Sequence, residues 1–209
     1  MPRSQPPIVP LQRWLESMTV AMPLIVLVTA LACLLRLFKG TQETLDTSSE
    51  VRIARLALIS IVLAILGEFL LTSDSMDSTT LSRMLNNLAV FAGLPMLVSA
   101  VLSRAAARPF TMPIWGRWFL AIIALFELFR RMDAGLAYTQ GLVIAMVAGV
   151  LVAMIIAKDA SLKKSLALSF VCTAASAISW YQGLNELATH LPAALALWFA
   201  TGSLRQKSR

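Results

Sequence analysis

Three glutamates set inside apolar runs have the type and spacing to do chemistry. Each stands in a short Leu-x-Glu-Phe/Leu pattern: Leu66-Gly67-Glu68-Phe69, Leu125-Phe126-Glu127-Leu128 and Leu184-Asn185-Glu186-Leu187, repeated at an interval of 59 residues. A carboxylate is costly in hydrocarbon, so by default it faces a protein interior, a cavity or the interface, where it can bind a proton or a cation. Glu68 has no basic residue three or four positions on, and Ser60, Ala64 and Gly67 share its side of the helix. It is expected to face inward, toward Asn86, Asn87 or Gln140. Glu127 has Arg130 and Arg131 at i+3 and i+4, so an ion pair along its own helix competes with a ligand role.

Other chemistries find little support. His190 is the only histidine, which excludes a three-histidine zinc site. A mixed site of His190, Glu68 and Glu127 is chemically allowed but has no HExxH spacing behind it. There is no Gly-x-Ser-x-Gly elbow and no glycine-rich nucleotide loop. Cys33 and Cys172 lie in separate apolar runs without a CxxC, as buried small hydrophobes do. No cofactor and no metal are expected.

The elements that must position these groups are membrane helices. The chain is 58% hydrophobic and 14% charged, whereas soluble domains run at about 45–50% and 25%. At about 20 apolar residues per span, the 209 residues allow seven spans with short connections. The expected fold is all-α, a polytopic bundle of seven transmembrane helices. They run over about Met18–Phe38, Arg52–Thr72, Arg83–Ser103, Pro113–Arg131, Ala137–Ala157, Lys164–Asn185 and Thr189–Leu204. Residues 1–17 are expected as an extracytoplasmic or interfacial segment, 18–204 as the single transmembrane domain, and 205–209 as a short basic cytoplasmic tail. Ala30-Leu31-Ala32 before Cys33 resembles a signal-peptidase site, but the apolar run continues to Phe38, so the first span is read as retained.

Lysine and arginine placement sets the orientation. With seven spans and the N-terminus outside, thirteen of the 18 basic residues fall on the cytoplasmic side: Arg36, Lys39, Arg52, Arg55, Arg104, Arg108, Arg117, Lys158, Lys163, Lys164, Arg205, Lys207 and Arg209. Inverting the bundle reverses the bias. The expected location is the cell (inner or plasma) membrane, multi-pass, with a cytoplasmic C-terminus. The formal net charge of +7 is spread among loops, which suits anionic lipid at the cytoplasmic face and not nucleic acid.

Sidedness gathers the polar residues at the outer ends of the spans. The expected pocket is Glu68, Asn86, Asn87, Glu127, Gln140, Tyr181 and His190. The second-third, fourth-fifth and sixth-seventh spans would form hairpins with the Leu-x-Glu pattern near each crest, a possible internal repeat. Gly141, Ala145, Gly149, Ala153 and Ala157 form an i, i+4 ladder of small residues, read as a central packing face; a partner membrane protein or a second copy is the alternative. Ser165, Ser169, Cys172, Ser176, Ser179, Gly183 and Glu186 line one side of the sixth span, for packing more than for a wet pathway. Trp14, Trp115, Trp118, Trp180 and Trp198 fall near span ends, as an aromatic belt does.

The function these features suggest is non-enzymatic: binding of a small polar or lipid-headgroup ligand in an outward-facing pocket, by a transporter-like or accessory protein. The alternatives are a membrane-embedded lipid-modifying enzyme with a Glu/His or metal site, and a structural subunit of a membrane complex.

Overall fold

Each apolar run forms one helix. The computed structural model describes residues 10–39, 48–71, 75–183 and 186–205, apart from the side chains of 10–22, 186–187 and 205. The segment 1–9 and the tail from 206 onward lie outside the described residues, as do parts of the third Leu-x-Glu pattern.

The helices are α1 (Pro10–Lys39), α2 (Ser49–Leu70), α3 (Met76–Ala105), α4 (Met112–Arg131), α5 (Gly135–Ile156), α6 (Ala160–Tyr181) and α7 (Glu186–Arg205). The protein is all-helical, with seven helices and no strand among the described residues. α2, α3, α4 and α5 are each long and apolar enough to cross a membrane. At 1.5 Å per residue the 22 residues of α2 reach about 33 Å, which matches a hydrocarbon core of about 30 Å.

Two helices start about two turns earlier than apolarity predicts: α1 at Pro10 instead of Met18, and α3 at Met76 instead of Arg83. Proline suits the first helical position. Ser75 caps α3, its Oγ accepting from the Ser78 N–H at 3.2 Å, so polar turns extend the helix beyond its apolar part. Asn86 and Asn87 consequently stand about three turns into α3 and not in its first. Three helices close with a residue in the left-handed region: Ala107 (φ 51°) after α3, Asp133 (φ 56°) after α4 and Gly183 (φ 62°) after α6. The first two are followed by bonds from Arg108 N to Ser103 O at 3.2 Å and from Ala134 N to Phe129 O at 3.0 Å, which tie up the last carbonyls.

Pro95 lacks an N–H, and its ring opposes the carbonyl four residues back. α3 accommodates it with a π-helical turn, Ala89–Gly93, just before the proline. Gly93 in that turn brings α3 hard against α2: a Cβ there would stand 2.3 Å from Ser60 Oγ.

α1, α2, α3, α5, α6 and α7 pack side by side in that order, and α7 returns to α1, so six helices close a ring. The odd-numbered helices run from one end of the bundle, the crest, to the other, the base; the even-numbered run back. α4 stands outside the ring, against the π-helical turn of α3 and against α5. It buries only Trp115 and Ile122. The expected repeat of three like hairpins is therefore not reproduced in the packing, because α6 and α7 form the most extensive helix pair while α4 and α5 barely meet.

Hydroxyls hold the α6–α7 seam. Ser165, Ser169 and Ser176 donate to the carbonyls of Phe199, Ala196 and Thr189 at 2.8, 3.2 and 2.9 Å. The serine line is thus a packing device. The small-residue ladder of α5 divides: Gly149 packs on Val98 and Ala153 is fully buried, whereas Gly141 has open space around it and Ala145 is exposed.

The core lies toward the base. Cys33, Leu37, Ala54, Leu58, Val101, Leu166 and Leu204 are buried together there, and the second half of α3 touches α7 directly across the ring. A cation–π contact adds to the α1–α7 seam, with Arg36 Cζ 4.0 Å from the Trp198 ring centroid. The aromatic-belt expectation fails for Trp115, which is 1% exposed. It fills a second cluster with Ile53, Met96, Ala100 and Ile122, because this is where α4 leans on the ring. Trp118 is exposed, and its Nε1 donates to Ser99 Oγ at 3.0 Å.

Candidate functional site

Toward the crest the ring is hollow. A cavity of about 530 Å³ is lined by α1, α2, α3, α5, α6 and α7 and by nothing from α4. Its deep part is hydrocarbon: Val101 on α3, Val150 on α5 and Ala200 on α7 lie toward the base, where the α3–α7 contact closes it. The π-helical turn supplies Ala89 and Val90 to the wall. On its other side Phe91 stacks on Phe126 of α4, with centroids 4.3 Å apart, and meets Tyr138 of α5.

Polar groups in the lining fall into two sets. Thr139, Ser169, Thr173 and Ser176 donate their hydroxyls to the carbonyls of Gly135, Ala196, Ser169 and Thr189. These side chains are satisfied by the helices that carry them or that they face. Glu68, Asn86, Thr189 and His190 make no side-chain hydrogen bond or ion pair among the described residues. All four lie near the crest: Glu68 in the last turn of α2, Thr189 and His190 in the first turns of α7, and Asn86 on α3 before the π-helical turn. Trp180 of α6 lines the same end. An acid, an amide, a hydroxyl and an imidazole therefore keep their hydrogen-bonding capacity at the mouth of an apolar chamber.

Of the seven residues expected to form the pocket, Glu68, Asn86 and His190 line this cavity; Asn87, Glu127, Gln140 and Tyr181 do not. Glu127 is on the outer helix α4 and is held by its own neighbours. Its carboxylate accepts from Arg130 Nε and Nη2, both at 2.8 Å, and from Arg131 Nε at 3.0 Å. The i+3 and i+4 arginines thus supply the ion pair that their spacing allows. Asn87 and Gln140 are half-buried, each one position round the helix from a lining residue, and Tyr181 is exposed at the end of α6. The Glu186 side chain lies outside the described residues.

Sequence reasoning missed Thr189 and Trp180 as lining residues. The adjacency of Thr189 to His190, and of Trp180 to Tyr181, was the available signal. It also missed Glu50, which is 3% exposed at the base. Glu50 Oε1 lies 3.1 Å from Ser103 Oγ, and the same hydroxyl lies 2.8 Å from the Arg108 carbonyl. That burial comes from a partner 53 residues away, and no local pattern announces it.

The lining serines direct their hydroxyls at carbonyls, so among the described residues neither Ser169 nor Ser176 is paired with His190 as a nucleophile would be. Among the described residues no three His, Cys, Asp or Glu side chains group as a metal site would. Comparison with protein-family models, curated proteins and solved structures returns no match. The arrangement can do one thing well: enclose an apolar body and meet a polar end with unpaired donors and acceptors.

Proposed function

We propose that this chain is a seven-span membrane protein, N-terminus outside and C-terminus cytoplasmic, that binds a small amphipathic ligand in its central cavity without transforming it. The observation that carries the reading is the contrast within the lining: the hydroxyls of Thr139, Ser169, Thr173 and Ser176 are tied to backbone carbonyls, whereas the side chains of Glu68, Asn86, Thr189 and His190, all near the crest, have no hydrogen-bond or ion-pair partner among the described residues. A volume of about 530 Å³ falls in the range of about 300–1,000 Å³ in which small-molecule sites lie.

The seven-span topology is supported by the antiparallel course of successive helices and by thirteen basic residues on one side. α6 and α7 are the least apolar of the set, and their hydroxyls are bonded within the pair, which lowers the cost of placing them in lipid. Labelling single cysteines from outside intact cells tests the topology: Asp77→Cys should react and Lys163→Cys should not. The reverse pattern turns the bundle over and removes the proposed outward access.

The ligand reading is tested by filling the chamber. Val143→Trp and Ala193→Trp place bulk against the lining from two different helices. In protein purified with its native lipids, native mass spectrometry should show a small co-purifying ligand that both variants lose while keeping their helical content. A wild-type protein with no such ligand, or filled variants that retain it, would refute the proposal. Exposed Ala145 and the open space at Gly141 favour a second reading, an accessory subunit whose partner packs on the crest half of α5. Tryptophan at 141 would then release a co-purifying membrane protein.

A further inference from the structure

We infer that the ligand of the central cavity is a single-chain amphiphile whose head carries a positive charge, of the alkyl-amine class. The inference rests on the binding reading above and adds the chemistry of the two ends. Size limits the tail. The cavity of about 530 Å³ falls in the range of about 300–1,000 Å³ that holds one drug-sized molecule. That suits one hydrocarbon chain with a compact head better than a two-chain lipid.

Charge selects the head. Among the described lining residues Glu68 is the one that carries a formal charge, and none is a lysine or an arginine. The arginines that end α4 are bound to Glu127, and Arg83 is exposed on α3 outside the lining. An anionic head would meet a carboxylate with no lysine or arginine among the described lining residues to offset it. An ammonium would meet that carboxylate, the Asn86 and Thr189 oxygens as acceptors and, at the same end, the indole of Trp180.

The test uses the full-length protein in lipid nanodiscs, titrated separately with tetradecylamine, tetradecanol, tetradecanoate and the short, water-soluble butylamine, with binding read by native mass spectrometry. Tetradecylamine should bind one to one, about tenfold or more tighter than tetradecanol, since a hydrogen bond to a charged group contributes about 1.5–3 kcal/mol. Tetradecanoate should bind weakest of the three long chains. Glu68→Gln should bring the amine down to the affinity of the alcohol and leave the alcohol unchanged. Equal binding of amine and alcohol, tightest binding of tetradecanoate, or an amine affinity indifferent to Glu68→Gln overturns the charge assignment and leaves the cavity reading standing. Butylamine binding as tightly as tetradecylamine overturns the single-chain assignment and makes the source a soluble amine. Failure of every compound to bind overturns the cavity reading itself.

Discussion

The seam between α2 and α3 carries Glu68 on one helix and Asn86 on the other, and its spacing is set by the absence of one atom. A Cβ added at Gly93 would lie 2.3 Å from Ser60 Oγ and 3.4 Å from the Ala57 carbonyl oxygen; real Cβ contacts essentially never fall under 3.0 Å. In Gly93→Ala the carbonyl can stay, but the serine hydroxyl must rotate away and abandon its 2.7 Å bond to Ala57 O. That bond contributes about 0.6 kcal/mol, and at most about 1.7, by the standard of hydroxyl bonds in membrane helices. Against this loss, replacing a helical glycine by alanine gains about 0.5–1 kcal/mol. The single substitution is therefore nearly neutral, and the informative quantity is the coupling between the two sites. Ser60→Ala should cost about 0.6–1.7 kcal/mol in the parent protein and nothing measurable when Gly93 is already alanine. Equilibrium unfolding in mixed detergent–SDS micelles, followed by circular dichroism, measures all four corners of the cycle. If Ser60→Ala costs the same in both backgrounds, Gly93 does not set the approach of the two helices and the close-packing argument is wrong.

Three further outcomes are expected from the same assay. Ala107→Gly should stabilise the protein by about 0.5–1 kcal/mol, because a non-glycine residue at φ 51° is strained by about 1–2 kcal/mol and part of that relief is offset by the extra freedom of glycine in the unfolded chain. Ser169→Ala should cost about 0.6 kcal/mol through its lost bond to Ala196 O, while Ser161→Ala on the exposed base end of α6 should stay within about 0.5 kcal/mol of the parent. Trp115→Ala should cost about 3–5 kcal/mol by emptying the cluster through which α4 rests on α2 and α3. A cost near that of a surface substitution would mean that Trp115 is not packed as described.

Local properties were the ones legible in the sequence. Seven apolar runs separated by short polar links became seven helices in the same order, because helix formation in a chain this apolar is decided run by run. The Glu127–Arg130–Arg131 pair was also local, a matter of positions three and four apart on one helix. The small residues Ser60, Ala64 and Gly67 pointed to a packed face of α2: Gly67 is buried, its missing Cβ giving room to Leu85, while Glu68 borders the cavity and is itself exposed. Neighbour relations were not legible. Every run was apolar enough to be inside or outside, so nothing in the α4 segment showed that it would leave the ring and carry Glu127 away from the cavity. The same gap hid Trp115, whose burial depends on α2 and α3, and Glu50, whose cover comes from Ser103. Pro95 lies inside the third expected span, but whether it would kink or end the helix or sit behind a π-helical turn is not written in the run itself.

Because α3 and α7 meet across the ring, the chamber is a cul-de-sac and not a passage. The base end is packed with apolar side chains, and the resting shape is that of a receptacle. For cargo to emerge on the far side, the second half of α3 would have to part from α7, stripping an apolar seam of its partners. A protein built this way is suited to holding or presenting a molecule, and any conveyance across the bilayer would demand a second conformation with that seam unzipped.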